Sequence, residues 1–245
     1  MYGVDRISTR EFRIKAYFRF CSSADFTDRD FSYLIPKKRR SVLIPPYYTK
    51  EERMSLEAAV DRSTSLGKRN YAIILLLNRL GLRSSDVANL LFSNIGDAIR
   101  IKQYKTDEFL ELPLLDIIRE AIDDYVANGR PTSDDDHVFL MYYAPHCSIT
   151  PTAINGIVSK YMKLAGIDIN GRKHGGHALR ASLGTDLINN GMSYEETRKI
   201  YGHTSDNVIK HYASLDVSRL KLCALPASMQ TGYFDTWLEL GGMAR

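Results

Sequence analysis

The 245-residue chain is 44% hydrophobic and 25% charged, with a formal net charge of +4 at pH 7, a composition that supports a buried core and argues against overall disorder. Its longest apolar run, Tyr71 to Leu77, falls well short of the ~18 residues that read as a membrane span, and the first dozen residues are charged where a secretory leader would be apolar. A cytoplasmic protein with no membrane partner is therefore expected, and nucleic-acid binding does not follow from so modest a net charge alone.

In chain order, residues 8 to 22 ("STREFRIKAYFRFCS") place apolar positions at helical spacing, and residues 25 to 35 add a short turn-like segment. A basic block, Lys37, Lys38, Arg39 and Arg40, then precedes Pro45 and Pro46. Residues 1 to 53 carry twelve Lys/Arg against seven Asp/Glu, which suits a linker lying along a phosphate backbone as well as it suits a solvated loop. Thr49 with Glu52 forms a capping-box pattern, predicting a helix through Ser63. A more buried helix follows over Lys68 to Leu80, stopped by Gly81, and Ser84 or Ser85 is expected to cap the next one. The period then changes: "AIRIKQY" and "EFLELPL" flank "KTD" as a β-hairpin. Helices resume at Leu114 to Asn128 with Gly129 as stop, after Thr150-Pro151, over His177 to Asn190, and after the Ser193/Glu196 capping box, with two more segments beyond residue 206. The expected fold is mainly α with one small antiparallel β-sheet.

Three cysteines, Cys21, Cys147 and Cys223, are odd in number and scattered, giving neither a disulfide framework nor a zinc spacing. No P-loop, dinucleotide fingerprint or His-Glu-x-x-His is present, so no cofactor and no metal are expected. The candidate chemistry lies in cations. Arg83 sits at a helix entry, and His177 lies one helical turn before Arg180 on nearly the same face. The arginine fork suits two oxygens of one phosphate, and a pair of arginines can hold a phosphodiester as its charge grows. For either arginine alone, a surface salt bridge is the simpler reading. A tyrosine phenol, with an ordinary pKa near ~10, needs nearby positive charge or a base before it attacks phosphorus. Tyr212 follows His211 and lies nine residues beyond His203, but it is one of fifteen tyrosines, so spacing has to carry the case.

Five segments together carry a resemblance: "GLRSSDVANL", "KQYKTDEFLELPL", "HALRAS", "YGH" and "HYASLD". In this order they resemble the tyrosine recombinases, or phage integrase family, over residues 45 to 225. The resemblance implies the catalytic-domain fold of that family. It also implies that Arg83 and Arg180 clamp the scissile phosphate and that Tyr212 is the nucleophile. His177 is the implied acid/base partner and Lys105 the implied acid for the leaving 5′ oxygen, with Lys102 its rival. His203 is the implied phosphate hydrogen-bond donor, and Asp86 an orienting group. His174 and His211 are expected at helix ends or on the DNA backbone; His137 and His146 are expected to be structural. The implied reaction is transesterification through a 3′-phosphotyrosyl link on double-stranded DNA, by a tetramer that is monomeric off DNA, without ATP or metal.

Two departures, Ala181 in place of a frequent His and Tyr201 in place of a frequent Leu, are expected to stand apart from the chemistry. The larger departure is N-terminal: residues 1 to 44 resemble only the last helix and linker of the DNA-clamping domain that precedes the catalytic one in relatives. A truncated product, a fragment and a short recombinase that borrows a partner's grip all fit. Residues 226 to 245, with Phe234 and Trp237, form a tail that packs either on a neighbouring subunit or on its own core. A topoisomerase of the same chemistry and a DNA-binding relic or regulator of the family are the competing functions.

Overall fold

The computed structural model describes residues 4–35, 47–103 and 108–201. The chain divides into two units, Met1–Leu43 and Ile44–Arg245. In the first, helix α1 (Val4–Ser23) is followed by a 3-10 turn at Phe31–Leu34. Asp30 caps that turn through Ser32 N at 2.8 Å, and the Phe18 ring meets Phe31 edge-on at 6.3 Å. Phe12, Tyr17, Phe20, Phe26 and Tyr33 remain exposed.

The second unit is mainly helical: α2 (Lys50–Ala58), α3 (Ser65–Arg79), α4 (Ser84–Ala88), then strands β1 (Ala98–Lys102) and β2 (Phe109–Pro113), then α5 (Asp116–Asn128), α6 (Pro151–Leu164), α7 (Gly176–Asn189) and α8 (Tyr194–Tyr201). Local chemistry sets the helix starts. Thr49 and Glu52 close the capping box, with Glu52 N donating to Thr49 Oγ1 at 3.2 Å and Thr49 N to Glu52 Oε2 at 2.8 Å. Thr150 caps α6 ahead of Pro151, whose missing N–H is no loss at the first helical position. Ser193 and Glu196 exchange the same pair of bonds at the start of α8.

One boundary differs from expectation. Helix α2 stops at Ala58 rather than running to Ser63, because Asp61 Oδ1 accepts from Ser63 N at 2.9 Å and turns the chain. Thr64 then caps α3 through Gly67 N at 3.0 Å. A Cβ on Gly67 would stand 1.7 Å from the Asp61 carbonyl oxygen, so this tight entry admits only glycine.

Ala72 to Leu77 are all without solvent exposure. A helix apolar on every side has to be wrapped on every side, and α3 packs against α2, α4, α5, α6 and α7. Strands β1 and β2 pair antiparallel from Ala98 opposite Pro113 to Lys102 opposite Phe109. Ile99, Ile101, Leu110 and Leu112 face the core while Arg100 and Glu111 pair outside at 2.9 Å, the period-2 alternation of a half-buried sheet. His137 Nδ1 lies 2.5 Å from Asp135 and His146 Nδ1 3.3 Å from the Met141 carbonyl, so both are engaged in loop structure. Among the described residues no helix is long and apolar enough to cross a membrane.

Candidate active site

Gly81 turns the chain out of α3 at φ 63°. A Cβ there would come 2.7 Å from the Tyr201 ring, so the glycine both makes the turn and admits that ring. Two residues later Arg83 is itself the N-cap residue of α4, in extended backbone. The expected serine cap is absent because Ser84 begins the helix and its hydroxyl is spent elsewhere, donating to Asn155 Oδ1 on α6 at 3.1 Å. The same oxygen accepts from Gly176 N, the first residue of α7, at 3.0 Å. One amide thus pins the starts of the two helices that carry Arg83, His177 and Arg180. A Cβ on Gly175 would reach 2.9 Å from Asn155 Oδ1 and one on Gly176 2.5 Å from Ser84 Oγ, which is why two glycines stand there.

Arg180 is 2% exposed. Its Nη1 donates to the Gly81 carbonyl at 2.5 Å and its Nη2 to the Tyr201 carbonyl at 2.6 Å. The guanidinium lies 4.2 Å from the Tyr201 ring centroid, and the Tyr201 hydroxyl donates back to the Arg180 carbonyl at 3.2 Å. Arg83 Nη1 donates to Gln103 Oε1 at 2.5 Å, and Gln103 Nε2 donates to that same Tyr201 carbonyl at 3.2 Å. The carbonyl of Tyr201 therefore gathers both arginines, one directly and one through Gln103. Asp86, 4% exposed, places a carboxylate oxygen 3.9 Å from Arg83 Nη1. Tyr201, expected to stand apart, is instead the packing centre of the site, since its ring stacks on the guanidinium that its carbonyl holds.

His177 is exposed on the first turn of α7 and lines an open hollow of ≈ 490 Å³ with Gly171, Arg172, Lys173, His174 and Ala178. Arg172 forms one wall, held by Glu52 at 2.8 Å and stacked over the Tyr48 ring at 3.9 Å. That pairing draws the Glu52 carboxyl below the ordinary carboxylate range. Tyr48 N donates to Ser182 Oγ on α7 at 2.8 Å, so the start of the unit is stitched to the site-bearing helix.

The family model for the phage integrase family matches residues 47–219. The chain belongs to the phage integrase family. The "Putative integrase/recombinase y4rA" of Sinorhizobium fredii is 35% identical over 185 residues, covering 75% of this chain and 45% of that protein. Tyrosine recombinase XerC of Pediococcus pentosaceus is 27% identical, covering 88% of this chain and 73% of the relative. Among solved structures, the XerH site-specific recombinase bound to difH substrate in a pre-cleavage complex superposes with a TM-score of 0.71 at 18% identity, over 91% of this chain and 65% of that one. The chain spans less than half the length of the rhizobial relative.

In this integrase-family chain, Arg83, Arg180 and Asp86 come together, and His177 stands one turn from Arg180. Lys105, His203, Tyr212, His211 and the block Lys37, Lys38, Arg39 and Arg40 lie outside the described residues, as does the tail 226–245. Lys102, the rival lysine, is exposed at the end of β1, 5.9 Å from the Phe109 ring centroid. Among the described residues no cluster of His, Cys, Asp or Glu could hold a metal. Sequence reasoning missed Gln103 and Asn155. For Gln103 a signal existed: it continues the inward series Ile99, Ile101 and is completely buried, a polar amide where β-alternation calls for an apolar one. For Asn155 there was none, because nothing in sequence distinguishes an asparagine on an exposed helix turn.

Proposed function

We propose that this phage integrase family member is a site-specific recombinase of double-stranded DNA. The Tyr212 oxygen attacks the scissile phosphorus, the bond from phosphorus to the 5′ oxygen breaks, and a 3′-phosphotyrosyl link forms. His177 takes the phenol proton and Lys105 gives a proton to the leaving 5′ oxygen, while Arg83, Arg180 and His203 hold the phosphate. A partner strand's 5′ hydroxyl reverses the step, so the phosphodiester energy is conserved in the protein link and no ATP is consumed. Exchange between two duplexes opens four strands, one tyrosine each, so the working assembly is a tetramer on DNA in the cytoplasm. Lys37, Lys38, Arg39 and Arg40 track the backbone beside the cleavage site.

One observation carries this reading: Arg180 reaches the Tyr201 carbonyl directly and Arg83 is linked to it through Gln103, which ties two guanidinium groups from different segments to one backbone oxygen. Such a pair matches the dispersed charge of a phosphoryl transition state better than a ground-state ligand. The test is covalent trapping on nicked duplexes taken from DNA flanking the gene, resolved on a denaturing gel. Wild type should give a shifted band and Tyr212→Phe should give none while still binding the duplex. A band that persists in Tyr212→Phe removes Tyr212 from the mechanism; binding without any band in wild type favours a DNA-binding regulator.

A further inference from the structure

Gln103 is a fully buried amide at the end of an inward-facing apolar series, one residue beyond β1. Burying a primary amide costs free energy unless its donors and acceptor are met, and an apolar residue would satisfy the strand pattern at no such cost. The amide's two ends are used on opposite partners. Oε1 accepts from Arg83 Nη1 at 2.5 Å and Nε2 donates to the Tyr201 carbonyl at 3.2 Å, the oxygen that Arg180 Nη2 reaches at 2.6 Å.

We infer that Gln103 is a positioning residue for strand cleavage, its amide bridging the Arg83 guanidinium to the Tyr201 carbonyl that Arg180 also reaches, so that both arginines are set for one phosphate. The inference rests on the proposed strand-transfer function. A neutral amide fits this position because it orients the guanidinium as an acceptor without adding a negative charge, and its oxygen and nitrogen can accept from arginine and donate to a carbonyl at the same time. A carboxylate here would accept from Arg83 but face the Tyr201 carbonyl with a second negative oxygen. Gln103 also stands two residues before Lys105, and Tyr201 two before His203, so this bond joins the two segments that lead into those positions.

The test compares single-turnover covalent attachment by wild type, Gln103→Leu and Gln103→Glu on a nicked duplex and on the same duplex with a neutral methylphosphonate at the scissile position. The methylphosphonate lacks the anionic charge that the arginines serve. On the phosphodiester, Gln103→Leu should be slowed ~100-fold, the scale of a misplacement of about 1 Å in a reacting constellation, with duplex affinity unchanged. On the methylphosphonate the gap to wild type should shrink to a few-fold. Gln103→Glu, which keeps the volume and a bond to Arg83, serves if the leucine variant does not fold; it should be slowed at least ~10-fold on the diester, with the same narrowing on the neutral substrate. Equal slowing on both substrates would mean that Gln103 only supports the fold, and undiminished cleavage by both variants would remove it from the mechanism; either outcome overturns the inference while leaving the proposed function standing. Wild type inactive on both duplexes overturns the proposed function and this inference with it.

Discussion

Among the described hydrogen bonds, arginines of the larger unit end on two kinds of acceptor. Arg79 donates to Glu57 at 2.7 and 2.8 Å, Arg172 to Glu52 at 2.8 and 3.2 Å, and Arg53 to Asp186. Arg180 and Arg83 donate to the Gly81 and Tyr201 carbonyls and to the Gln103 amide, with Asp86 farther away at 3.9 Å. A carboxylate brings a negative charge to the guanidinium it holds; a carbonyl or amide holds it without one. Arg69 shows that neutral acceptors are not sufficient: it is 8% exposed, its donors end on Asn70 and the Leu140 carbonyl, and burial pulls its pKa down. The candidate site adds to neutral acceptors a second arginine arriving from another helix.

If this division is right, the two sets should fail in different ways. Asp186→Ala strips the carboxylate from a largely buried Arg53 and from the Tyr47 hydroxyl, which donates to it at 2.8 Å. That should cost roughly 3–5 kcal/mol of stability, read by denaturant titration, with the cleavage rate per folded molecule within a few-fold of wild type. A cleavage defect as large as that of an Arg180 variant would erase the distinction. Arg180→Lys keeps the charge but loses the planar fork that spans the two carbonyls. Covalent attachment should slow ~10²–10³-fold, about 2.7–4 kcal/mol of transition-state stabilisation, while duplex affinity changes far less because many cations share the backbone. Parallel losses of affinity and rate would instead place Arg180 among ordinary phosphate contacts.

The smallest effect sharpens the carboxylate side. Arg172 holds the Glu52 carboxyl below its ordinary value, so more protons are bound in the unfolded chain than in the folded one over the acidic range. The contribution is fully present above the unfolded carboxylate pKa near ~4.3 and is lost as pH falls through the lower folded value. Glu52→Gln should therefore melt below wild type at pH 7, with the gap closing as the pH drops under that range. A constant gap at all pH values would show that the ionised Glu52 carboxyl adds no pH-dependent stability.

Most of the helices were legible from residues in short windows. Thr49 with Glu52, Thr150 with Pro151 and Ser193 with Glu196 mark helix starts because a cap bonds to a backbone group three residues away, and Gly129 ends α5 as the spacing predicts. The hairpin followed from alternation. Local windows failed where a polar group was drawn to a distant partner: Ser84 gives its hydroxyl to Asn155, and α2 yields its last turn to the close passage of Gly67 over Asp61.

Arg83, His177 and Arg180 are candidates because the motifs that hold them resemble those of the family and an arginine fork suits a phosphate. What brings them together could not be read in this way. Arg180 and Gln103 meet on the carbonyl of Tyr201, and every residue carries such a carbonyl, so nothing in a side-chain code distinguishes it. Sequence by itself determined the family, the helical class and the cationic candidates. Only the packing of α7, α8 and the hairpin against the end of α3 decided which backbone oxygen Arg180 and Gln103 would share, and that choice places Gln103 and Tyr201 in the candidate site.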